Sequence, residues 1–446
     1  MKTLTPRTAI IFIFIILFSR EKIIAQFGTQ IPMQPNIGPS VFYRPSVFPQ
    51  NKFFLGVPLI SNLNVGFTHD GLDFFGARTQ TDSGIVLDMN KLMEGLEKQN
   101  TIALEYSMDV LSYGFRIKKS YFSINVSHRV PIIFRYSGDF LKMLYYGNGA
   151  YIGQTMDFSK TYLSATNYWE IGVGFNRKIT DKLSAGIRVR RLFGLDNIST
   201  DINTLKATTS TENFAMQLES DMVINSSSPM NQPGGFGSLT DFKGYLLTTR
   251  NWGMAFNAGV AYQYNDKLLF SMDALDWGDI TWRNNTSNNK LVNGTYTFSG
   301  VGMGQMFNSS DTSVNYIDSL ANSFKSVDTK EQYVTPLPGK LMFCTEYQFA
   351  KKLYASLMLR GMFLPNEMIP GGAIMIRKDF GKHLSLDVNY SRQYNSYNSI
   401  GAGASLRMGT TNLFVFRQPS GNNFPNEREV GACEFWALCA YIVSSK

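Results

Sequence analysis

The chain has 446 residues, a formal net charge of +8, three cysteines and only 17% charged residues, against a usual share of about 25%. So mild a basic excess gives no argument for a nucleic-acid partner. Cys344, Cys433 and Cys439 form neither a disulfide framework nor a CxxC metal pair. We therefore expect no nucleic acid, no metal and no cofactor.

The N-terminus has the pattern of a signal peptide, which we assign to residues 1–25. Lys2 and Arg7 precede an apolar run over residues 9–18 that is too short to span a bilayer, and cleavage is expected after Ala25. No other apolar stretch approaches the ~20 residues of a membrane helix. The sequence therefore predicts an exported chain without a helical anchor.

Residues 26–50 are rich in proline and have little periodicity, so they are either a plug folded into a barrel lumen or a disordered lead-in. The first alternating run follows, from Phe53 to Phe67, and Pro58 lies inside it. Because proline removes a ladder hydrogen bond, we predict that this strand is bent, interrupted or at a seam.

Residues 51–416 repeat one pattern, in which apolar and polar side chains alternate along strand-length runs. It is clearest in residues 168–191, where Ile171 and Val173 share one face and Glu170 lies on the other. One such hairpin also suits a soluble sandwich, but its repetition along the chain favours a membrane barrel. We predict an all-β fold, a transmembrane up-and-down β-barrel of about 14 antiparallel strands with short loop helices.

The connections between these runs are either short or long, as the periplasmic turns and external loops of outer-membrane barrels are. Four short turns carry a lysine just before a leucine: Lys182, Lys267, Lys352 and Lys382. If these turns are periplasmic, the insertion 197–250 must contain an even number of membrane crossings. Residues 204–224 can supply the required hairpin.

Two loop helices are predicted, one over Asp139–Tyr146 and one with Tyr316, Leu320 and Phe324 on its face. The second belongs to the long insertion 282–331. Either helix could plug the lumen or cover an opening, and the simpler interpretation is a loop helix that packs on its own strands.

Residues 417–446 lose the alternation. Outer-membrane barrels end on an amphipathic strand with a terminal aromatic residue, whereas this sequence ends in Lys446. Either a closing strand is missing, as a frameshift near Arg417 would produce, or the tail is a genuine extension. Because every strand edge in lipid must be paired, we favour the missing strand as the explanation of this unusual tail.

Charged residues on the polar faces of the predicted strands are the candidate site. They are Glu105, Asp109, Glu170, Arg188, Arg190, Asp273, Glu346, Arg360, Arg377, Asp387 and Arg407. A lipid-facing Arg or Lys at mid-depth costs about 2–4 kcal/mol, so these side chains are predicted to face the lumen. They would line a polar passage, form a charge constriction, or only fill the interior as a salt-bridge network.

Signatures of catalysis are weak. His69, His128 and His383 lie in different segments, and the sequence has no GxSxG elbow, HExxH motif or Walker loop. Ser127 beside His128 is not a dyad, because adjacent strand residues face opposite sides. We expect no catalytic site and no enzymatic activity.

Three features resemble an uncharacterised family of outer-membrane barrels from Bacteroidetes: residues 53–58, Gly147-Asn148-Gly149 after a short helix, and the hairpin 168–194. The resemblance extends to about Val415. More distantly, the layout is similar to the FadL-like fatty-acid-transporter superfamily. That resemblance implies about fourteen strands, an N-terminal plug and, in some members, small hydrophobic ligands, while related barrels carry or anchor secreted surface proteins.

The leading hypothesis is an outer-membrane barrel that admits a small, hydrophobic molecule through a partly plugged lumen. The alternative is a docking or assembly barrel without transport, whose insertions bind secreted or surface proteins. A soluble secreted β-protein is the third hypothesis. The expected partners are outer-membrane lipid, the barrel assembly machinery, and either the small ligand or the secreted proteins.

Overall fold

The structure is a computed structural model that describes residues 30–35, 37–69, 71–72, 77–81, 84–231, 242–292, 294–296, 326–365, 367–393, 399–419 and 432–444. The strands are β1 (Phe53–Gly56), β2 (Leu63–His69), β3 (Arg78–Thr81), β4 (Gly84–Leu87), β5 (Gln99–Ile117), β6 (Ser120–Ser137), β7 (Thr155–Asp157), β8 (Tyr162–Lys178), β9 (Leu183–Thr209), β10 (Met216–Ser227), β11 (Asn251–Asn265), β12 (Leu268–Trp282), β13 (Thr286–Leu291), β14 (Gly294–Tyr296), β15 (Ser326–Thr329), β16 (Tyr333–Pro336), β17 (Gly339–Ala350), β18 (Leu353–Leu364), β19 (Glu367–Phe380), β20 (Leu384–Gln393), β21 (Ser399–Met408), β22 (Thr411–Pro419) and β23 (Ala432–Ser444). The α-helices are α1 (Gln30–Met33), α2 (Met89–Glu94), α3 (Gly138–Tyr146) and α4 (Phe242–Leu246), and the 3-10 helices are Gly38–Phe42, Asn148–Tyr151 and Pro229–Asn231.

Fourteen antiparallel strands pair side by side and close into a barrel, which confirms the predicted fold. The order around the wall is β1 with β2, then β5, β6, β8, β9, β11, β12, β17, β18, β19, β20, β21, β22 and β23. β1 and β2 are two pieces of one strand, and both pair with β23. The interruption between them contains Pro58 and lies at the seam where the first and last strands meet.

Away from the section formed by β22 and β23, the wall strands separate an apolar exterior from a largely polar interior. In β8, Ile171 and Val173 are exposed, whereas Glu170 before them and Asn176 after them are buried. Successive side chains of a strand point to opposite faces, so one face of the wall is available to lipid and the other encloses the lumen.

The two rims of the barrel differ. One rim has only tight connections, at residues 118–119, 179–182, 266–267, 351–352, 381–383 and 409–410. The four lysine-bearing turns predicted from the sequence are among them. β1 also begins at this rim, where Phe53 pairs with Ser444 of the last strand. The long connections emerge at the opposite rim, which we call the outer rim.

Beyond the outer rim the sheet continues above the wall. β9 is 27 residues long, and its residues 183–194 pair with β11, whereas residues 197–209 pair with β10. β10 also pairs with β13, and β13 pairs with β15. The predicted hairpin at 204–224 is therefore present, but it lies above the barrel and adds no crossing, which keeps the parity even.

Helix α3 occupies the position predicted for a loop helix, and Ser137 caps its N-terminus by accepting a hydrogen bond from the Asp139 amide at 3.2 Å. Its Phe140 packs in a cluster with Met156, and its Leu141 packs in a cluster with Leu92. The helix therefore packs on the outer connections. The helix predicted around Tyr316 and the signal peptide lie outside the described residues.

The prediction of a missing closing strand is wrong, because β23 closes the barrel within the tail 417–446. The alternation rule overlooked it for a physical reason. Tyr441 of β23 and Phe414 of β22 are buried in one apolar cluster with Ile31 and Val41 of the N-terminal segment. The interior face of this wall section meets an apolar partner and needs no polar residues.

Candidate functional site

The N-terminal segment 30–50 lies inside the barrel and is hereafter called the plug. Ile31, Ile37, Val41 and Phe42 are almost fully buried and pack on the wall formed by β1, β22 and β23. The described part of this segment, residues 30–35 and 37–50, is folded onto the wall, and the assignment of residues 26–50 as a plug or lead-in stays a prediction. Apolar burial on one wall section positions the segment.

Hydrogen bonds tie the plug to the rest of the wall. The amide and hydroxyl of Ser46 donate to the two carboxylate oxygens of Asp273 at 2.8 and 2.7 Å. Arg44 donates to Ser271 at 2.8 Å, and Gln34 donates to Asp387 at 2.5 Å. Each of these contacts involves a charged group and is worth about 1.5–3 kcal/mol net, so several non-covalent contacts, and no covalent cross-link among the described residues, hold the plug on the wall.

Close backbone approach adds to this attachment. A Cβ atom added at Gly186 of β9 would overlap the carbonyl oxygen of Pro45 in the plug. The Ser184 hydroxyl on the same strand donates to the Ser46 carbonyl at 2.8 Å. Glycine at this interior position therefore lets the plug backbone lie directly on the wall.

A buried ion cluster lies deeper in the lumen. Glu170 of β8 is fully buried and contacts three arginines: Arg129 at 3.1 Å, Arg190 at 3.0 Å and Arg188 at 3.4 Å. Asn125 also donates to its carboxylate at 3.0 Å. The cluster holds more positive than negative charge around this one carboxylate, and buried charges persist only with such partners.

Asp276 extends the cluster across the lumen. It contacts Arg190 at 2.6 Å and Lys340 at 2.9 Å. Its φ of 61° lies in the left-handed region, at a bulge where the register of β11 with β12 shifts. Aspartate tolerates this conformation better than most residues, and the bulge turns its carboxylate inward.

The plug contacts the cluster through two aromatic side chains. The guanidinium carbon of Arg188 lies 4.5 Å from the centre of the Phe42 ring, and that of Arg129 lies 5.9 Å from the Tyr43 ring. Burial raises the pKa of the Tyr43 hydroxyl, which accepts a hydrogen bond from Asn62 at 2.9 Å. Plug, ion cluster and the interruption between β1 and β2 therefore meet at Tyr43.

Cavities border the plug on both sides. Two adjoining cavities of about 50 Å³ each share Glu105, Arg129, Asp276, Lys340 and Arg360 in their linings. The inner one also touches the plug at Phe42 and Tyr43. A third cavity of about 400 Å³ opens at the short-turn rim against Phe48 and Gln50 of the plug. The plug thus separates the ion cluster from the short-turn rim.

Comparison with known proteins places the chain in a family. A profile described as "Family of unknown function (DUF5723)" matches residues 45–417. The chain belongs to the DUF5723 family. No curated protein matches it.

Solved structures with a similar course of the chain include a channel and a transporter of aromatic hydrocarbons. This DUF5723 protein is similar to a deletion mutant of the monoaromatic hydrocarbon channel TodX, with 11% identity, a TM-score of 0.47 and coverage of 95% and 96% of the two chains. The comparison with the Pseudomonas putida toluene transporter TodX gives 9% identity, a TM-score of 0.45 and the same coverage of the two chains. The comparison with a Pseudomonas aeruginosa FadL homologue gives 10% identity and a TM-score of 0.39, and it covers 94% of this chain and 99% of the homologue. Among the described residues, no helix is long and apolar enough to span a membrane.

The charges singled out from the sequence of this DUF5723 barrel fall into five groups. Glu170, Arg188 and Arg190 form the ion cluster, and Asp109 adjoins it through Ser127, whose hydroxyl donates to Asp109 at 2.6 Å. Asp273 and Asp387 hold the plug, while Glu105 and Arg360 line the deep cavities. Arg377 contacts Glu346 at 3.1 Å, and Arg407 lies near the short-turn rim, where it donates to the Gly409 carbonyl at 3.4 Å.

Three members of the site were missed from the sequence. Arg129 and Lys340 lie on the interior faces of β6 and β17, so the alternation rule applied to every strand would have found them. The alternation rule could not identify Asp276. The bulge shifts the inside–outside alternation of β12 by one residue, which places Trp277 on the exterior face. The plug residues carry no periodic signal at all.

Several guanidinium nitrogens in and beside the cluster have no hydrogen-bond partner among the protein atoms. Among the described residues these are Nε and Nη1 of Arg188, Nε of Arg190 and Nη2 of Arg360, all buried. Buried donors normally find acceptors. The deep cavities beside them therefore offer room and unused donors to an incoming polar group.

Proposed function

We propose that the protein is an outer-membrane channel that passes a small molecule with an apolar body through a lumen closed by the plug. The observation that carries this proposal is the pair of cavity systems on opposite sides of a plug that non-covalent contacts hold on the wall. Passage requires the plug to shift, since it separates the two systems. Localised opening of weakly attached segments costs less than unfolding of the wall.

The lining of the deep cavities supports the proposal that the transported molecule has an apolar body. The outer of the two is bordered by Leu104, Ile132, Ile133 and Met362 on one side and by the ion cluster on the other. The inner one adds Leu275, Met342 and Met358. Apolar walls with a few convergent polar groups are the usual composition of a small-molecule site.

The interruption between β1 and β2 supports a side exit into the membrane. Residues 57–60 face outward, with Leu59 half exposed, while Ser61 and Asn62 are buried on the lumen side. Asn62 contacts the plug through Tyr43. A shift of the plug would withdraw one of the partners of Asn62, next to the break that β1 and β2 leave in their pairing with β5. One backbone hydrogen bond bridges this break, from the Leu59 amide to the Asp109 carbonyl at 3.0 Å.

The test is a matched pair of glycine substitutions in purified protein reconstituted into lipid vesicles. Gly186→Ala places a methyl group against the Pro45 carbonyl and should displace the plug without opening the wall. Gly149→Ala is the control, since an added Cβ there meets nothing within 4 Å. Small-ion conductance and uptake of a fluorescent naphthylamine dye are measured for each.

We expect Gly186→Ala to raise conductance and dye uptake several-fold over the unaltered protein, and Gly149→Ala to leave both unchanged. Retention of a heat-dependent gel shift in both variants would show that the barrel remains closed. A folded Gly186→Ala protein with no conductance and no uptake above that of empty vesicles would refute the channel.

The docking alternative is supported by one observation, the sheet above the wall. Its edge strand β15 is exposed at all four residues and lies on β13, which extends the hairpin of β9 and β10. Exposed edges accept additional strands. Replacing residues 297–329 with a Gly-Ser linker removes β15 and keeps every other described strand; loss of a co-purifying protein with unchanged dye uptake would favour docking.

A further inference from the structure

An arginine pair faces outward at the outer rim, away from the lumen. Arg191 lies on the exterior parity of β9, and Arg283, which follows β12, is exposed. The guanidinium carbons of Arg191 and Arg283 lie 3.8 and 4.9 Å from the ring centre of Trp252, which is 36% exposed. Two like charges therefore share one indole on the outside of the wall.

The depth of this pair follows from β11. The exterior residues of that strand run from Tyr262 and Tyr264 near the short turns through Val260 and Phe256 to Trp252 at the outer rim, and all five are exposed. A spanning strand needs about 9–11 residues, so these aromatic residues mark the two edges of the apolar band. Arg191 and Arg283 therefore lie at the level of the lipid headgroups.

The pair lacks a protein counter-charge. Within the described part of the chain, no carboxylate forms an ion pair with Arg191 or Arg283, although Asp279 is exposed on the same outer face of β12. Arg283 uses one nitrogen on the Thr281 carbonyl at 3.4 Å. Nearby, Arg250 is exposed and donates to Asn284 at 3.3 Å, which adds a third positive charge to this side of the rim.

We propose that Arg191, Arg283 and Trp252 form a binding site for a phosphorylated lipid headgroup of the outer leaflet, with Arg250 in support. Guanidinium groups bind phosphate oxygens in pairs, and an anion between the two arginines would neutralise their repulsion. Trp252 holds both guanidinium groups in place and contacts the lipid at the interface. The site rests on the proposed outer-membrane location but not on channel activity.

The test measures lipid retained by the detergent-purified protein in native mass spectrometry. Bis-phosphorylated lipid A, its dephosphorylated form and inorganic phosphate are the probes. The double variant Arg191→Gln/Arg283→Gln is compared with Arg177→Gln, which removes an exposed arginine at the short-turn end of neighbouring β8. Heat-dependent gel shifts verify that each variant is a closed barrel.

We expect the unaltered protein and Arg177→Gln to retain the bis-phosphorylated lipid, and the double variant to bind it about tenfold more weakly, consistent with the loss of charge-assisted contacts. Dephosphorylated lipid should bind weakly to all three proteins, and millimolar phosphate should not compete. Equal retention by the double variant, equal binding of the dephosphorylated lipid, or displacement by phosphate would overturn the lipid site. None of these results depends on dye uptake, so the channel proposal is tested separately.

Discussion

Arg190 joins Glu170 to Asp276 inside the barrel. Its Nη1 lies 3.0 Å from a Glu170 oxygen and its Nη2 lies 2.6 Å from an Asp276 oxygen. The two carboxylates belong to β8 and β12, which are separated in the wall by β9 and β11. One guanidinium group therefore links two strands that share no backbone hydrogen bond. Its planar geometry holds the two Nη donors at fixed positions, one for each carboxylate.

Glu170→Gln should destabilise the barrel, because it leaves Arg129, Arg188 and Arg190 without their shared counter-charge. Removing one partner of a buried ion pair typically costs about 3–5 kcal/mol. The measurement is the temperature at which the protein loses its heat-dependent gel shift, which should fall. Asp181→Asn is the control. The Asp181 side chain is 99% exposed, and its salt bridge of 3.7 Å with the exposed Lys119 lies in solvent. An unchanged temperature for Glu170→Gln would contradict a stabilising cluster.

Asp276→Val should destabilise the barrel more than Asp276→Asn. Both remove the charge that pairs with Arg190 and Lys340, but asparagine accepts the φ of 61° and a β-branched residue resists it. Strained positions of this kind cost of order 1–3 kcal/mol, and this is the expected difference in the free energy of unfolding between the two variants. Denaturant titration in detergent measures it. Equal unfolding midpoints would mean that the backbone strain is relieved elsewhere.

Charge selectivity tests the deep cavities. Five cations, Arg129, Arg188, Arg190, Lys340 and Arg360, line them against Glu105 and Asp276, so the opened channel should prefer anions. In the Gly186→Ala background, Lys340→Gln should move the reversal potential in a salt gradient toward cation preference, since it removes one of the two cations that pair with Asp276. Lys142→Gln, on the outer helix α3, should leave the reversal potential unchanged. A shift of equal size from Lys142→Gln would place the selective region outside the lumen.

Truncation after residue 419 should abolish the heat-dependent gel shift. It removes β23, which leaves one edge of β22 and the facing edge of β1 and β2 unpaired. Open strand edges are not tolerated in lipid. Removal of residues 445–446 alone is the matched control and should preserve the shift. A closed barrel after truncation at 419 would show that β22 can pair directly with the first strand.

Much of the wall could be predicted from sequence, because a strand with lipid on one side and polar groups on the other must alternate. The hairpin around Glu170 shows this, and the same rule put Glu170, Arg188 and Arg190 together. The rule fails where the interior is not polar. Tyr441 and Phe414 face the apolar side of the plug, so their strands lack the expected pattern.

The contacts that make the site specific could not be predicted. Ser46 meets Asp273 across a sequence separation of 227 residues, and no local pattern encodes that distance. Asp276 lies at a bulge whose position depends on the register of two paired strands. Local periodicity reports which face a side chain occupies, whereas plug attachment and bulges depend on the assembled barrel.

The plug precedes the first strand in the chain, yet Ile31 and Val41 pack on Tyr441 near the other end. Contacts of such long sequence separation form late, because the loop-closure entropy of the whole barrel must first be offset. The plug therefore completes its docking only after the last strand has arrived. Closure of the barrel by β23 is therefore a precondition for complete docking of the plug.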